Sequence, residues 1–362
     1  MDVNKKTKIM AYIRSVIFIL GLIVLVKVSD LVFARDGYVN YILKVLNKGY
    51  EVSEDGQVTT SSKGYDLIIL GASHGRSAID PEYIDETLGT NSLNLSIPGE
   101  TVKDSYYLLM EATRNNDIKT VILDVDYQYY LGDNSEGYFE EAFIYNQYSW
   151  LSSTKWKYLL DNMNELDFRN AISKRDVYTH SLTDMKRNVS QKFSKDYLTS
   201  NIYKLEVEDS GGDYVGKGFF YRNQEDSFFS GYSDKNALCA DSEVDATPRK
   251  YFEKIKKYCD EHGIELICET APITPTSYEE LNVSLIHEKM SDFFNSYGVT
   301  YIDYNMASFD LLDRKQEDYV DAEGHMCGEL AEKFSKLLAQ NLQDIKQEGI
   351  DLVLNKVYGE AQ

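Results

Sequence analysis

Apolar residues in this chain form one long run near the N terminus and several short runs separated by amphipathic stretches. The short runs are rich in Val, Ile and Leu and are bounded by Gly, Pro or polar residues, which is typical of fully buried strands in a parallel sheet. The stretches between them place apolar residues at helical spacing. This alternation predicts an α/β fold with helices on both faces of a parallel sheet. The predicted strands cover residues 65–70, 92–95, 119–126, 264–269 and 299–303, and the main predicted helices cover 249–262, 283–297 and 328–340.

The first predicted strand ends in Gly71-Ala72-Ser73-His74-Gly75. Ligands of parallel sheets bind at the carboxyl ends of the strands, so Ser73 lies where chemistry would occur. The alternative is an ordinary strand-to-helix turn in which Ser73 caps the next helix.

A second candidate motif, Asp321-Ala322-Glu323-Gly324-His325-Met326, precedes the last amphipathic helix. A serine nucleophile needs a base, and His325 would accept the proton of Ser73 while a carboxylate fixes the imidazole tautomer. We predict Asp321 as that carboxylate, with Glu323 as the alternative and Asp318 as a more distant option.

The order of these motifs resembles that of the SGNH/GDSL hydrolase superfamily. The Gly-x-Ser-His form of the serine motif, and Gly-His-Met followed by Glu-Leu-Ala-Glu-Lys-Phe-Ser, resemble in particular the DltD-type protein of lipoteichoic acid D-alanylation and the periplasmic alginate O-acetylation proteins. The resemblance covers the two flanks of the soluble part and leaves out its middle. It implies a three-layer, flavodoxin-like sheet, a Ser73-His325-Asp321 triad and no cofactor.

The resemblance also implies backbone donors for an oxyanion, the usual device of acyl transfer. Gly99 matches the family's glycine after the second strand, although Pro98-Gly99 is equally ordinary turn chemistry. The family's Gly-x-Asn motif after the third strand is absent, and Asp126-Tyr127-Gln128 stands in its place. Gln128 could donate from its amide. His74 could shape the turn or contact substrate, but its adjacency makes it a poor base for Ser73.

The long apolar run predicts a membrane anchor in residues 1–34. Residues 9–33 are long enough to cross a bilayer if Arg14 and Lys27 extend toward opposite interfaces. The basic N-terminal flank would lie in the cytoplasm, with the rest of the chain on the extracytoplasmic side. A cleaved signal peptide, with small residues near 32–34, is the alternative.

The remainder divides into a juxtamembrane linker at 35–64 and a catalytic domain at 65–362. Residues 130–246 lose the α/β rhythm and are interpreted as a cap inserted over the carboxyl edge of the sheet, with a helical part at 150–164 and a glycine-rich part at 211–218. This insertion contains a basic segment, which would face anionic head groups or a phosphate-bearing polymer, or is simply a solvated helix face. The segment consists of Lys174, Arg175, Lys186, Arg187, Lys192 and Lys195.

Composition narrows the function. The 362 residues carry a formal net charge of −21, which argues against nucleic-acid binding. The 29 tyrosines fit half-buried packing better than a sugar-binding surface. The sequence has no C-x-x-C pair, and no histidine stands at a metal-ligand spacing from an acidic residue, so no metal site is predicted.

The chain has four cysteines, Cys239, Cys259, Cys268 and Cys327. One disulfide is possible in an exported domain, but the sequence does not indicate which two cysteines would form it. Cys327 lies two residues beyond His325, but Ser73 has the strand-end position expected of a nucleophile.

Three functions fit these observations. The first is an envelope acyltransferase that moves acetyl or D-alanyl onto a cell-surface glycopolymer, for which the resemblance implies a membrane-bound O-acyltransferase as donor partner. The second is an esterase or deacetylase of the same polymer, and the third is a non-catalytic envelope assembly protein. The fold alone does not separate them.

Overall fold

A computed structural model describes residues 3–59, 64–132, 144–164, 172–205, 212–223 and 243–359. At its centre is a five-stranded, fully parallel sheet with strand order β2-β1-β3-β6-β7, which confirms the predicted fold class. The strands of this sheet are β1 (Leu67–Leu70), β2 (Ser92–Asn94), β3 (Thr120–Asp124), β6 (Glu265–Thr270) and β7 (Thr300–Asp303). A separate antiparallel hairpin consists of β4 (Gly212–Gly216) and β5 (Phe219–Arg222).

Helices cover both faces of the sheet. Thr101 and Asp104 form a capping box at the start of the helix that follows β2, which is the local reason that this helix begins there. The helices are α1 (Val3–Phe33), α2 (Tyr38–Lys48), α3 (Ser73–Ala78), α4 (Pro81–Leu88), α5 (Val102–Ala112), α6 (Gln128–Leu131), α7 (Ser153–Asp161), α8 (Leu182–Lys192), α9 (Lys195–Thr199), α10 (Ala246–His262), α11 (Pro275–Glu280), α12 (Val283–Ser296), α13 (Gly328–Glu348) and α14 (Ile350–Tyr358).

The two faces of β1 enter different hydrophobic cores. Ile68 and Leu70 pack with α2, α5, α10 and α12, whereas Leu67 and Ile69 pack with α4, α13 and α14. Successive side chains of a strand point to opposite faces, so an unbroken apolar strand supplies both cores at once. The result is a three-layer arrangement of helices, sheet and helices.

Helix α2 differs from its predicted place in a juxtamembrane linker. Val39, Ile42, Val45 and Leu46 are fully or almost fully buried in the first core. The apolar face of this amphipathic helix is therefore covered by the sheet layer and not by a membrane surface. The folded domain includes residues 38–48, and its boundary lies before residue 65.

Within the described part of the 130–246 insertion, β5 packs against α3 and α13, and α7 packs against α5. The position of the whole insertion as a cap stays a prediction. The hairpin continues the β2 edge, where Asn94 donates its backbone N–H to Lys217 O at 2.8 Å. Gly218, at φ +86°, approaches Asn94 so closely that a Cβ would lie 1.9 Å from its carbonyl oxygen. The far end of β5 comes near the start of α13, where the Tyr221 ring covers Gly328. Residues 224–242, also part of the predicted cap, lie outside the described residues.

Among the described residues, one helix is long and apolar enough to cross a membrane. It covers Lys6–Phe33, and almost none of its apolar stretch is buried by the rest of the chain. This agrees with the predicted anchor in length and composition.

The basic segment of the insertion is not a free cationic surface. Lys174 Nζ lies 2.8 Å from Asp36 Oδ1, and Lys192 Nζ donates to carbonyl oxygens at the end of α1. Arg187 pairs with Asp184 at 2.8 Å. These contacts turn much of the predicted anion-binding segment toward the chain itself.

Candidate active site

A continuous chain of hydrogen bonds joins the three predicted site residues. Ser73 Oγ lies 2.7 Å from His325 Nε2, and His325 Nδ1 lies 2.6 Å from Asp321 Oδ2. A carboxylate only accepts, so Nδ1 carries the proton and Nε2 presents a lone pair to the serine hydroxyl. Asp321, and not the alternative Glu323, is the carboxylate in contact with His325.

Ser73 is held at the carboxyl end of β1 by the two glycines of its motif. A Cβ on Gly71 would lie 2.7 Å from Asp124 Cβ, and one on Gly75 would lie 2.9 Å from the same atom. The strand-to-helix turn therefore requires glycine on both sides of the serine. Ala72 occupies the N-cap position of α3 without a side-chain cap, so Ser73 is not the capping residue.

Backbone groups fix Asp321 in place. Its Oδ1 accepts N–H groups of Glu323, Gly324 and His325 at 3.0, 3.2 and 3.3 Å. Burial alone would raise its pKa, but the hydrogen bonds from the His325 ring and backbone N–H, together with the charge that His325 carries when it is protonated in acid, lower the pKa to about 2. The four-residue spacing between Asp321 and His325 thus allows the loop between them to fold around the Asp321 carboxylate.

The loop of residues 318–327, here called the histidine loop, is closed by its own backbone hydrogen bonds and is held by one further bond from another segment. Val320 N donates to His325 O at 2.8 Å, and Cys327 N donates to Asp318 O at 2.9 Å. Ser277 Oγ donates to Ala322 O at 2.6 Å. The support comes from the first turn of α11, which begins at Pro275 and is capped by Thr274.

His74 forms a second imidazole–carboxylate pair that the sequence did not reveal. Its Nδ1 lies 2.6 Å from Asp126 Oδ2 and its Nε2 lies 2.6 Å from Glu323 O. A carbonyl oxygen and a carboxylate are both acceptors, so both ring nitrogens donate and the ring is an imidazolium. Burial opposes this charge, but Asp126 outweighs burial and raises the pKa of His74 to about 10.

The two histidine rings are in contact. Their centroids lie 4.6 Å apart and their planes are inclined by 21°. Burial lowers the pKa of His325, the hydrogen bond to Asp321 opposes this, and the positive charge of His74 lowers the pKa further. His325 is therefore a neutral base at neutral pH.

The three oxyanion and substrate candidates have different environments. Gln128 donates one amide N–H to Asp126 Oδ2 at 2.8 Å, and its oxyanion role stays a prediction. Both ring nitrogens of His74 are hydrogen-bonded within the chain, and its contact with substrate stays a prediction as well. Gly99, at φ +76°, lies in the turn after β2, and Ile97 N of that turn donates to Gly71 O at 3.0 Å. A donor role for Gly99 stays a prediction.

Buried acids behind the serine are a further feature that sequence reasoning missed. Asp124 and Glu269 are register partners on β3 and β6, and both are buried. Burial raises the pKa of both carboxyls; the charge of Asp126 adds to this for Asp124, and the charge of Asp124 adds to it for Glu269. Glu100, also buried, accepts from Ile97 N at 3.0 Å and from Ser105 Oγ at 2.5 Å. The sequence signal for Asp124 and Glu269 was an acidic residue at or near the end of an apolar strand.

The described cysteines do not compete with Ser73. Cys259, Cys268 and Cys327 are free and buried. Burial raises the pKa of the Cys327 thiol to about 11, so little thiolate forms at neutral pH. Cys239 lies outside the described residues.

Comparisons with known proteins leave the family of this chain open. No family model matches the sequence, and no curated protein matches it. Among solved structures, a proposed acylhydrolase from Bacteroides fragilis is 7% identical with a TM-score of 0.37, covering 86% of this chain and 99% of its own. A GDSL-like lipase from Bacteroides thetaiotaomicron is 7% identical with a TM-score of 0.36, covering 84% and 98%. These values are too low to assign a family or an activity to this chain.

Proposed function

We propose that this chain is a membrane-anchored, extracytoplasmic serine acyltransferase of the SGNH/GDSL type. In this proposal Ser73 accepts an acetyl or D-alanyl group and passes it to a hydroxyl of a cell-envelope glycopolymer. The observation that carries the proposal is the unbroken hydrogen-bond chain from Ser73 through His325 to Asp321.

In the proposed reaction, Ser73 Oγ attacks the acyl carbonyl as its proton moves to His325 Nε2. The proton then passes to the leaving group, which departs and leaves an acyl ester on Ser73. In the second half, His325 takes the proton of the acceptor hydroxyl, whose oxygen attacks the ester. Collapse of the intermediate returns the proton to Ser73 Oγ. Asp321 holds the imidazole tautomer throughout, and the Gly99 N–H is the predicted oxyanion donor.

The proposed location rests on α1 and its basic flank, with Lys6 and Lys8 on the cytoplasmic side. The resemblance noted from the sequence supplies the proposed donor partner, a membrane-bound O-acyltransferase. Protease added to intact protoplasts should remove the domain that follows α1. A domain that survives until the cells are lysed contradicts this orientation.

A serine-directed fluorophosphonate probe tests the site on the purified full-length chain. Wild type should be labelled, and Ser73→Ala and His325→Ala should each lose labelling to a similar extent, because triad members act as a unit. Cys327→Ala is the matched control and should label like wild type. Full labelling without His325, or labelling that survives the loss of Ser73, would contradict the catalytic role.

An esterase is the second candidate, because water can use the same three residues in place of the acceptor and Ser73 is partly exposed. Mass analysis of the envelope polymer from strains with and without the gene separates the functions. Loss of an ester on deletion supports the transferase, and gain supports the esterase. An unchanged polymer together with an unlabelled Ser73 favours the assembly protein.

A further inference from the structure

Helix α1 does not end in a free linker. The Asp30 side chain, buried at the end of this helix, accepts from Lys174 N and Tyr178 OH, each at 2.9 Å, and from Ser173 Oγ at 3.2 Å. All three donors belong to the insertion. A carboxylate near the C-terminal end of a helix opposes the helix dipole, and these donors offset that cost.

The backbone at the same place is also tied to the insertion. Thr179 N donates to Phe33 O at 2.8 Å, and Arg35 N donates to Val177 O at 2.9 Å. Lys192 Nζ, from α8, reaches the carbonyl oxygens of Asp30 and Leu31 at 3.0 and 3.1 Å. The last carbonyls of a helix have no partner within the helix, and here a side chain of the domain supplies one. The helix and the domain are therefore joined through several side chains and two backbone hydrogen bonds.

The domain extends along α1 as far as Lys27, one turn before Asp30 toward the N terminus. Lys27 Nζ lies 4.4 Å from the centre of the Trp150 ring. Trp156 packs edge-on against Trp150 at 5.8 Å and donates its indole N–H to Trp150 O at 2.8 Å. The next residue, Leu151, is 89% exposed. An aromatic pair, a lysine and an exposed leucine thus meet beside the apolar helix.

The position of this group along α1 identifies its surroundings. At about 1.5 Å per residue, residues 9–28 cover roughly the 30 Å of a bilayer's hydrocarbon core. Lys27 and Trp150 then lie at the boundary between hydrocarbon and head groups. Trp is enriched at that boundary, and Lys extends its charge into it. Val24, Leu25 and Val28 of α1 are exposed on either side of Lys27, and Leu151 is exposed next to Trp150 in the chain.

We propose that Lys27, Trp150 and Leu151 form an interfacial patch that lies in the head-group region of the outer leaflet and binds phospholipid. The Trp150 ring and Leu151 enter the upper acyl region, while Lys27, whose Nζ also lies 3.4 Å from Asp30 Oδ2, stays at the level of the phosphates. This inference rests on the proposed membrane placement of α1. With the junction at Asp30, it fixes the tilt of the domain on the membrane.

Tryptophan fluorescence tests the patch, because Trp150 and Trp156 are the only two tryptophans of the chain. The full-length protein is reconstituted into phosphatidylcholine and phosphatidylglycerol vesicles, with or without bromine at acyl positions 6 and 7. Trp156→Phe leaves Trp150 as the only tryptophan, and with excitation selective for tryptophan its emission should be quenched at least twofold by brominated lipid. Trp150→Phe leaves Trp156, which should be quenched less.

Leu151→Asp in the Trp156→Phe background should remove most of this quenching, since it places a charge in the acyl region. Leu352→Asp, which changes an exposed leucine on α14, is the matched control and should leave quenching unchanged. Vesicle flotation separates the two proposals. A chain that floats while Trp150 is not quenched overturns the patch and leaves the anchor. A chain that does not float overturns both.

Discussion

The imidazolium of His74 lies against the imidazole of His325, with ring centroids 4.6 Å apart. His74 donates to Asp126 on β3's side of the site and to Glu323 O in the histidine loop. It therefore connects the end of the sheet to the loop that carries the base. His325 therefore acts as a base beside the positive charge of His74, and Asp126 is the counter-ion of His74.

His74→Gln should move the acidic limit of activity to higher pH. The charge of His74 lowers the pKa of His325, so removing it raises that pKa and the base loses its proton only at higher pH. Fluorophosphonate labelling of Ser73, followed as a rate against pH, should show its acidic limb shifted upward by about one unit. Gln128→Ala, which removes a support of Asp126 and keeps the cation, should shift it less. An unchanged or downward-shifted limb would contradict an electrostatic role for His74.

The His74–Asp126 pair should stabilise the fold most at neutral and mildly acidic pH. The folded-state pKa of His74, about 10, lies above its ordinary value of 6.5, so its contribution is full below about 6.5 and is lost as pH rises through 10. Burial would raise the folded-state pKa of Asp126, but the charge of His74 lowers it, so the contribution of Asp126 to stability is lost only in acid, as pH falls through that folded-state pKa. The melting-temperature difference between wild type and Asp126→Asn should therefore shrink steadily from pH 7 to pH 10. A difference that grows over this range has the wrong sign.

Asp321→Asn should lower activity by about 10²–10⁴-fold, because an amide can hold the opposite imidazole tautomer and does not stabilise the imidazolium. Turnover of an activated acyl ester measures this. Glu323→Gln is the matched control, since Glu323 contributes its backbone carbonyl to His74 and should retain near wild-type turnover. Greater damage from Glu323→Gln than from Asp321→Asn would reassign the third member.

Gly75→Ala should destabilise the domain, although alanine is ordinarily preferred over glycine in a helix by about 1 kcal/mol. The added Cβ would meet Asp124 Cβ at 2.9 Å inside a packed core. Overpacking of this kind costs roughly 1–3 kcal/mol. Chemical denaturation of wild type, Gly75→Ala, Asp124→Gly and the double variant gives the coupling energy. Strictly additive effects would show that the close contact with Asp124 is not the cause.

The sheet was predictable because its central strands contain short apolar runs bounded by polar residues, and residues 67–70 and 120–124 are buried on both faces. The meeting of Ser73 with Asp321 and His325 was predictable for a related reason. A serine at the end of β1 is at the edge where the chain's other loops converge, and the acid and histidine are only four residues apart.

His74 could not be assigned in this way. Its role depends on Asp126 from β3 and on a carbonyl of the histidine loop, contacts across 52 and 249 residues that leave no local pattern. Helix α2 was misplaced for a different reason. An amphipathic helix after a membrane anchor has the same pattern whether a bilayer or a protein core covers its apolar face. The contacts of the basic segment were not predictable either, because Lys174 pairs with Asp36, just after α1, and Lys192 bonds to carbonyl oxygens at the end of α1.

The end of α1 is hydrogen-bonded to the domain, and this would limit the acceptors that Ser73 can reach under the proposed function. A domain on a flexible linker samples a volume that grows with linker length, whereas a domain fixed to its helix holds Ser73 at one height. Under the proposed function, and with α1 in a membrane, the distance of the modified position on an anchored polymer from the lipid surface would be set by the height of Ser73. Lengthening the helix by one turn would then move modification outward along the polymer without altering the site.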